Sequence, residues 1–174
     1  MAEKYYVEAH DDGTHWYAWP GEERKLHRLN GPAIEYTAGS RAWYQNGQLH
    51  RLGGPALEWA DGGRAWYQIG QLHRLGGPAL EYADGSREWY QNGQRHRTDG
   101  PAVECPDGNR AWCQNGLLHR TDGPAVVYAN GTKEWWLNDV RHTEDAWIAA
   151  TQSVVELTIA EIETLLGKRI KVVK

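Results

Sequence analysis

Histidine recurs at a fixed interval of 23 residues, at His27, His50, His73, His96, His119 and His142. The same interval carries Trp43, Trp66, Trp89, Trp112 and Trp135, and also Pro32, Pro55, Pro78, Pro101 and Pro124, each behind a glycine. A strict period of this length constrains the fold more than any other feature. It means one small supersecondary unit, too small to bury its own apolar face, stacked copy upon copy. Five units fill residues 26 to 142, and the second runs from Gly54-Pro55-Ala56-Leu57-Glu58 through Trp66-Tyr67 to His73-Arg74.

Two turn signals divide each unit. Asn46-Gly47 and Asp61-Gly62 are the dipeptides of two-residue type I′ hairpins, in which both central residues need positive φ. The Gly-Pro step interrupts pairing again, because proline has no ladder donor. No helical period fits between these breaks, so the expected fold is mainly β, an elongated stack of antiparallel hairpins about 50 Å long. Two-residue turns set Gln45 opposite Gln48, Tyr44 opposite Leu49 and Trp43 opposite His50. They also set Trp59 opposite Arg64, Glu58 opposite Ala65 and Leu57 opposite Trp66. One face would then carry Leu57, Trp66 and His73 as core. The other would carry Glu58, Ala65 and Arg74 outward, with the same rows at Glu35, Ala42, Arg51 and at Glu104, Ala111, Arg120. The third unit has Glu88 in the Ala place, and the fifth has Val127 in the Glu place and Glu134 in the Ala place.

The ends read as caps. Residues 1–25 hold a partial unit, Asp12-Gly13-Thr14-His15-Trp16-Tyr17, followed by an irregular connection through Pro20-Gly21. Residues 143–174 form a small α/β cap. It opens with an acidic first turn at Glu144-Asp145 on a helix through Trp147 to about Thr151. A strand over 154–157, a second short helix from the capping box at Thr158 to Gly167, and a strand over 170–173 complete it.

The 10 Trp, 9 Tyr and 20 Gly with no Phe fit a repeat better than a mixed core. A net charge of only -4 gives no reason to expect nucleic acid or an anionic membrane as partner. No apolar run reaches the length of a membrane span, Met1-Ala2-Glu3-Lys4 does not open a signal peptide, and the expected compartment is cytoplasmic. Cys105 and Cys113 are too few for a disulfide scaffold. They replace aromatic residues in two columns read as lying on opposite faces, which excludes a bridge between them.

The stretches Trp43 to Gly54, Trp66 to Gly77, Trp89 to Gly100, Trp112 to Gly123 and Trp135 to His142 carry an aromatic, a glycine and a histidine in fixed order. In this they resemble the MORN family of 23-residue β-hairpin repeats, over about two thirds of the chain. The tryptophan-to-glycine step is one residue longer than in the usual motif, His-Arg replaces His-Gly, and Gly-Pro-Ala replaces Gly-x-Gly. The variant is closer to the MORN-like repeats of bacterial and viral proteins, and the stretch from Leu157 to Lys174 resembles the tails of bacteriophage proteins. The resemblance implies interaction surfaces and scaffolding, a host-cytoplasm setting if viral, and, in some members, lipid contact. Fold analogy alone does not fix function.

The columns supply the candidate sites. Neighbouring members of the histidine column stand about 9–10 Å apart, two strand spacings, too far to share a zinc ion held by nitrogens at about 2.0–2.1 Å. Six equivalent histidines also offer no single catalytic constellation. His50, His73, His96, His119 and His142 are therefore read as structural, each ring nitrogen bonded to backbone, and so is the Trp column. Tyr44, Tyr67 and Tyr90 are read as an exposed stripe able to contact a protein, since Tyr and Arg are enriched at binding hot spots. Arg51, Arg74, Arg97 and Arg120 could clamp an anion, or could pair within their own rows with Glu35, Glu58, Glu81 and Glu104. His10, Asp11, Asp12 and His15 form a cluster read as a solvated turn.

With no phosphate loop, nucleophile elbow or His-Glu helix motif, no catalytic, metal or cofactor residue is assigned. The expected function is a non-catalytic protein-binding or scaffolding module. The alternative is a phage-encoded inhibitor of a host defence protein, or a sponge for a signalling nucleotide or other small anion. Nucleic acid is disfavoured, no membrane partner is expected, and self-association through an uncovered sheet edge is allowed.

Overall fold

The computed structural model describes residues 4–18 and 24–152, together with Thr164 and Gly167. The chain is mainly β. One continuous antiparallel sheet of 13 strands runs through every unit, and four two-stranded hairpins stand beside it. In the second unit, Leu57–Glu58 and Arg64–Ala65 belong to the long sheet, while Tyr67–Gln68 and Gln71–Leu72 form the side hairpin. Each unit therefore folds as two hairpins, joined by the Trp66 peptide.

The side hairpins have the expected turn and register. Gln45 pairs with Gln48 and Tyr44 with Leu49, and Asn46 and Gly47 take φ of 52° and 81°, as a type I′ turn requires. The sheet hairpins differ from expectation. Trp59 N–H donates to Gly63 O and Gly62 N–H to Trp59 O, both at 3.0 Å, and Gly62 alone is left-handed, at φ 95°. This is a three-residue loop, a type I turn closed by a glycine bulge. Asp61 Oδ1 fixes it by accepting from Gly63 N–H at 2.9 Å. The extra loop residue shifts the register by one, so Leu57 faces Ala65 and Glu58 faces Arg64. The expected pairs Glu58 with Ala65 and Leu57 with Trp66 do not form.

The shift sorts the two faces anew. Ala42, Leu57, Ala65, Leu80, Glu88, Val103 and Ala111 make one unbroken inner row across the sheet. On the outer face Glu35, Arg41, Glu58, Arg64, Glu81, Arg87, Glu104 and Arg110 alternate in charge strand by strand.

The core is thin. Ala33, Ala56, Ala79, Ala102 and Ala125, the residues after each Gly-Pro, are fully buried, and among the described residues no large side chain is. Their backbones bridge the hairpins: Ala56 N–H donates to Ala65 O, and Ala56 O accepts from Trp43 N–H, both at 2.8 Å. The side hairpins are also cross-linked between units, with Gly70 N–H on Leu49 O at 2.9 Å.

At the N-terminal end, Tyr5–His10 and Gly13–Ala18 form a hairpin that opens the long sheet. Thr14 pairs with Glu35 and His15 with Ile34. At the other end, Thr143 caps the helix Glu144–Thr151, accepting from Ala146 N–H through its hydroxyl. The strands and second helix expected over 154–173 lie, Thr164 and Gly167 apart, outside the described residues.

Candidate binding surface

The tryptophan column does not pair across from Leu57, whose partners are Ala42 and Ala65. Trp43, Trp66, Trp89 and Trp112 lie on the Glu/Arg side, each covered by an arginine eight residues on. The Arg51, Arg74, Arg97 and Arg120 guanidinium carbons stand 3.9, 3.8, 4.0 and 4.0 Å from the centroids of Trp43, Trp66, Trp89 and Trp112. Arg28 covers Trp16 in the same way at 4.0 Å. The opposite face of each guanidinium meets the glycine of Gly-Pro: a Cβ on Gly54 or Gly100 would stand 3.0 or 2.8 Å from that carbon. The glycine before proline thus stands at close approach to a guanidinium and not at a left-handed φ.

The same arginine ties its unit to the next. Arg51 Nη1 donates to Pro55 O at 3.0 Å and to Glu58 Oε1 at 3.2 Å. Arg74 does so to Pro78 O and Glu81, and Arg97 to Pro101 O and Glu104. The expected pairing within one row, Arg74 with Glu58, is therefore replaced by pairing with the following unit's glutamate. Arg120 meets Val127 in place of a glutamate and instead engages Pro124 O and Asp122 Oδ1, the latter at 2.8 Å. Arg97 holds Asp99 likewise at 2.9 Å, and these hydrogen bonds hold both aspartates below the usual carboxylate range. The arginine column is engaged throughout.

The first five histidines of the column are engaged too, whereas His142 makes no such ring contact among the described residues. Nδ1 of His27, His50, His73, His96 and His119 accepts the backbone N–H of Asn46, Ile69, Asn92, Asn115 and Asn138, the first residue of the next unit's side turn, at 3.1–3.2 Å. His50 N–H also donates to Trp43 O at 3.0 Å. His142 pairs with Trp135 at the C-terminal end of the sheet.

Tyr44, Tyr67 and Tyr90 are half-buried rather than an exposed stripe. Burial raises all three hydroxyl pKa values, Tyr90 to about 12, where hydrogen bonding to Glu88 adds to the effect. The third unit explains the last value. Glu88 replaces the row's alanine and is 9% exposed. It accepts from Tyr90 Oη at 2.8 Å, Tyr82 Oη at 3.3 Å and Arg95 Nε at 2.9 Å. Arg95 itself stands where the second unit has Leu72 and pairs across from Tyr90. The fifth unit repeats the device with Glu134, Arg141 and Trp136. Because Tyr82 and Tyr90 reach one carboxylate, their columns share a side of the sheet. The cysteines that replace them in the fourth unit, Cys105 and Cys113, follow the same columns and do not take opposite faces. Both are free thiols, and burial pushes the Cys113 thiol up.

His10 and His15 sit on paired strands rather than in a solvated loop, their rings 4.3 Å apart, with only Asp11 and Asp12 in the turn. Among the described residues no group of three or more His, Cys, Asp or Glu is placed to hold a metal ion.

What remains uncommitted is a column that sequence reading passed over. Arg41, Arg64, Arg87 and Arg110 are exposed on the outer ladder. Among the described residues they make no ion pair and no side-chain hydrogen bond, since the adjacent glutamates are held by the clip arginines. The 23-residue period marks them as plainly as the histidines, but the mistaken register set Arg64 against Trp59 and hid the ladder. Three clefts, of about 440, 480 and 590 Å³, recur with the same period, each floored by the Trp, Gln, His and Arg of one unit. Leu29 and Leu52, the latter 73% exposed, rim the first, Leu75, 76% exposed, rims the second, and Thr98 and Thr121 take that place further on.

This architecture defines a class, a stacked β-hairpin repeat protein. No protein-family model matches the chain, and no curated protein matches it. No helix among the described residues is long and apolar enough to cross a membrane.

Proposed function

We propose that this chain is a non-catalytic protein-binding or scaffolding module built of MORN-like repeats. The observation that carries the reading is the division of labour among the columns. His, Trp and the clip arginines are spent on holding units together, whereas Arg41, Arg64, Arg87, Arg110 and the exposed leucines make no such contact. A periodic and exposed face suits recognition of an extended partner better than it suits chemistry, which needs one special constellation. Anion sequestration by Arg51, Arg74, Arg97 and Arg120 finds no support, because each is already bonded to carbonyl and carboxylate.

The test is affinity capture by the tagged full chain from lysate of its native cell or host, followed by mass spectrometry. The reading expects one protein at stoichiometric yield. Recovery of no protein, with a small molecule released on denaturation, would overturn it.

A further inference from the structure

The free arginines and the leucine-rimmed clefts share one period and are linked through the ladder glutamates: Arg51, which lines a cleft, bonds Glu58, the cross-strand neighbour of Arg41 and Arg64. Successive arginines stand two strands apart, at about 9.5 Å from the ladder spacing. An extended or polyproline II chain rises about 3.1–3.3 Å per residue, so every third side chain returns at nearly the same interval. In polyproline II those third residues also share a side. From this match we infer that the outer face of the first three units binds an extended acidic peptide. One carboxylate in each triplet meets Arg41, Arg64 or Arg87, and a neighbouring apolar side chain enters the cleft beneath Leu29, Leu52 or Leu75. The inference rests on the protein-binding reading above and adds the face, the register and the partner's chemistry.

Three observations select this occupant. The positive charges are discrete: Glu58 and Glu81 stand on the strands either side of Arg64. A polyphosphate backbone laid along the column would meet those carboxylates between its arginine contacts, whereas a carboxylate at every third residue would pass over them. Base stacking has no platform here, because the tryptophans of this face lie under guanidinium groups, while the exposed aromatics Trp59, Tyr82 and Tyr128 belong to the other side. The face is also graded along the stack. The residues after the clip arginine are Leu52-Gly53 and Leu75-Gly76 in the earlier units, and Thr98-Asp99 and Thr121-Asp122 in the later ones. Asp99 and Asp122, both exposed, would repel an acidic chain, so the peptide is confined to the N-terminal half.

The test is fluorescence anisotropy at low ionic strength with the full chain and a labelled peptide of four Leu-Glu-Pro triplets. A peptide of the same composition with its glutamates clustered serves as reference, and an oligothymidylate of equal length as a second probe. The triplet peptide should bind about tenfold more tightly than the clustered one, the size of a few exposed charge contacts in register. Arg64→Ala with Arg87→Ala should abolish that preference at unchanged circular dichroism, and Arg110→Ala should leave it intact. Equal binding of the two peptides, or tighter binding of the oligothymidylate, overturns the inference. A protein captured from lysate equally well by the Arg64→Ala, Arg87→Ala double variant also overturns it, yet leaves the protein-binding reading standing. Capture of no protein is a failure of that reading instead.

Discussion

At the scale of the residue, the repeat is held by contacts with little tolerance. The glycine before each proline faces a guanidinium, so Gly100→Ala places a methyl 2.8 Å from the Arg97 carbon. It should destabilise by about 1–3 kcal/mol, as overpacking does. Gly76, in the equivalent loop of an earlier unit, has nothing within 4 Å of its Cβ direction and no left-handed φ, so Gly76→Ala should leave the midpoint unchanged or slightly raised. Denaturant titration of both variants separates a packing role for this glycine from a turn role. Ile69 is the opposite case. It is a β-branched residue at φ 51° in a turn where the other units place asparagine, and it is 67% exposed. Ile69→Asn should therefore stabilise by about 1 kcal/mol, the left-handed cost being about 1–2 kcal/mol for an ordinary residue, read as a rise in melting temperature. A fall would mean that Ile69 makes contacts its exposure does not suggest.

At the scale of the element, the side hairpin was legible from Asn-Gly and the sheet hairpin was not. Asp61-Gly62 serves equally well as the centre of a two-residue turn or as the end of a three-residue turn with a bulge, and the dipeptide alone does not choose. The choice decides which side chains share a row, so one residue of loop displaced Ala65, Trp66 and Arg64 from their expected neighbours. The alternating ladder and the free arginine column became visible only with the correct register. The substitutions at Glu88 and Arg95 then resolve as a compensated pair. Glu88→Ala or Arg95→Leu alone should each cost about 1–2 kcal/mol, discounted because Arg95 is half-exposed. The double variant, which restores the pattern of the second unit, should recover most of that loss, and a double-mutant cycle measures the coupling. An additive cycle would refute the pairing. Tyr90 belongs to the same network. Its hydroxyl is raised to about 12 from an ordinary 10, so the native state favours the protonated form. The stability it contributes is present below pH 10 and is lost as pH rises from about 10 towards 12. Between pH 9 and 11.5 the native chain should lose more stability than Tyr90→Phe, measured by chemical denaturation at each pH.

At the scale of the whole molecule, the stack ends where its contact pattern changes. Eight residues after Trp135 stands Thr143 in place of an arginine, and Trp147 of the terminal helix packs on that ring instead, 4.6 Å between centroids. Its indole N–H donates to Arg120 O at 2.9 Å, and the side chain is buried. The helix therefore closes the last unit through the site an arginine fills elsewhere. Trp147→Ala should cost about 3 kcal/mol, as truncation of a buried tryptophan does, with hydrogen-exchange protection lost first in the fifth unit. The central claim is that the columns most suggestive of chemistry build the stack and leave the outer face to bind. Thermal unfolding and partner capture measured together on His119→Ala, which lies outside the leucine-rimmed clefts, test it most directly. The account predicts a melting temperature lowered by the loss of about 1 kcal/mol, one hydrogen bond to Asn138 N–H, with capture unchanged below the transition. An unchanged melting temperature with the partner lost would make the histidine column the binding site and contradict the account.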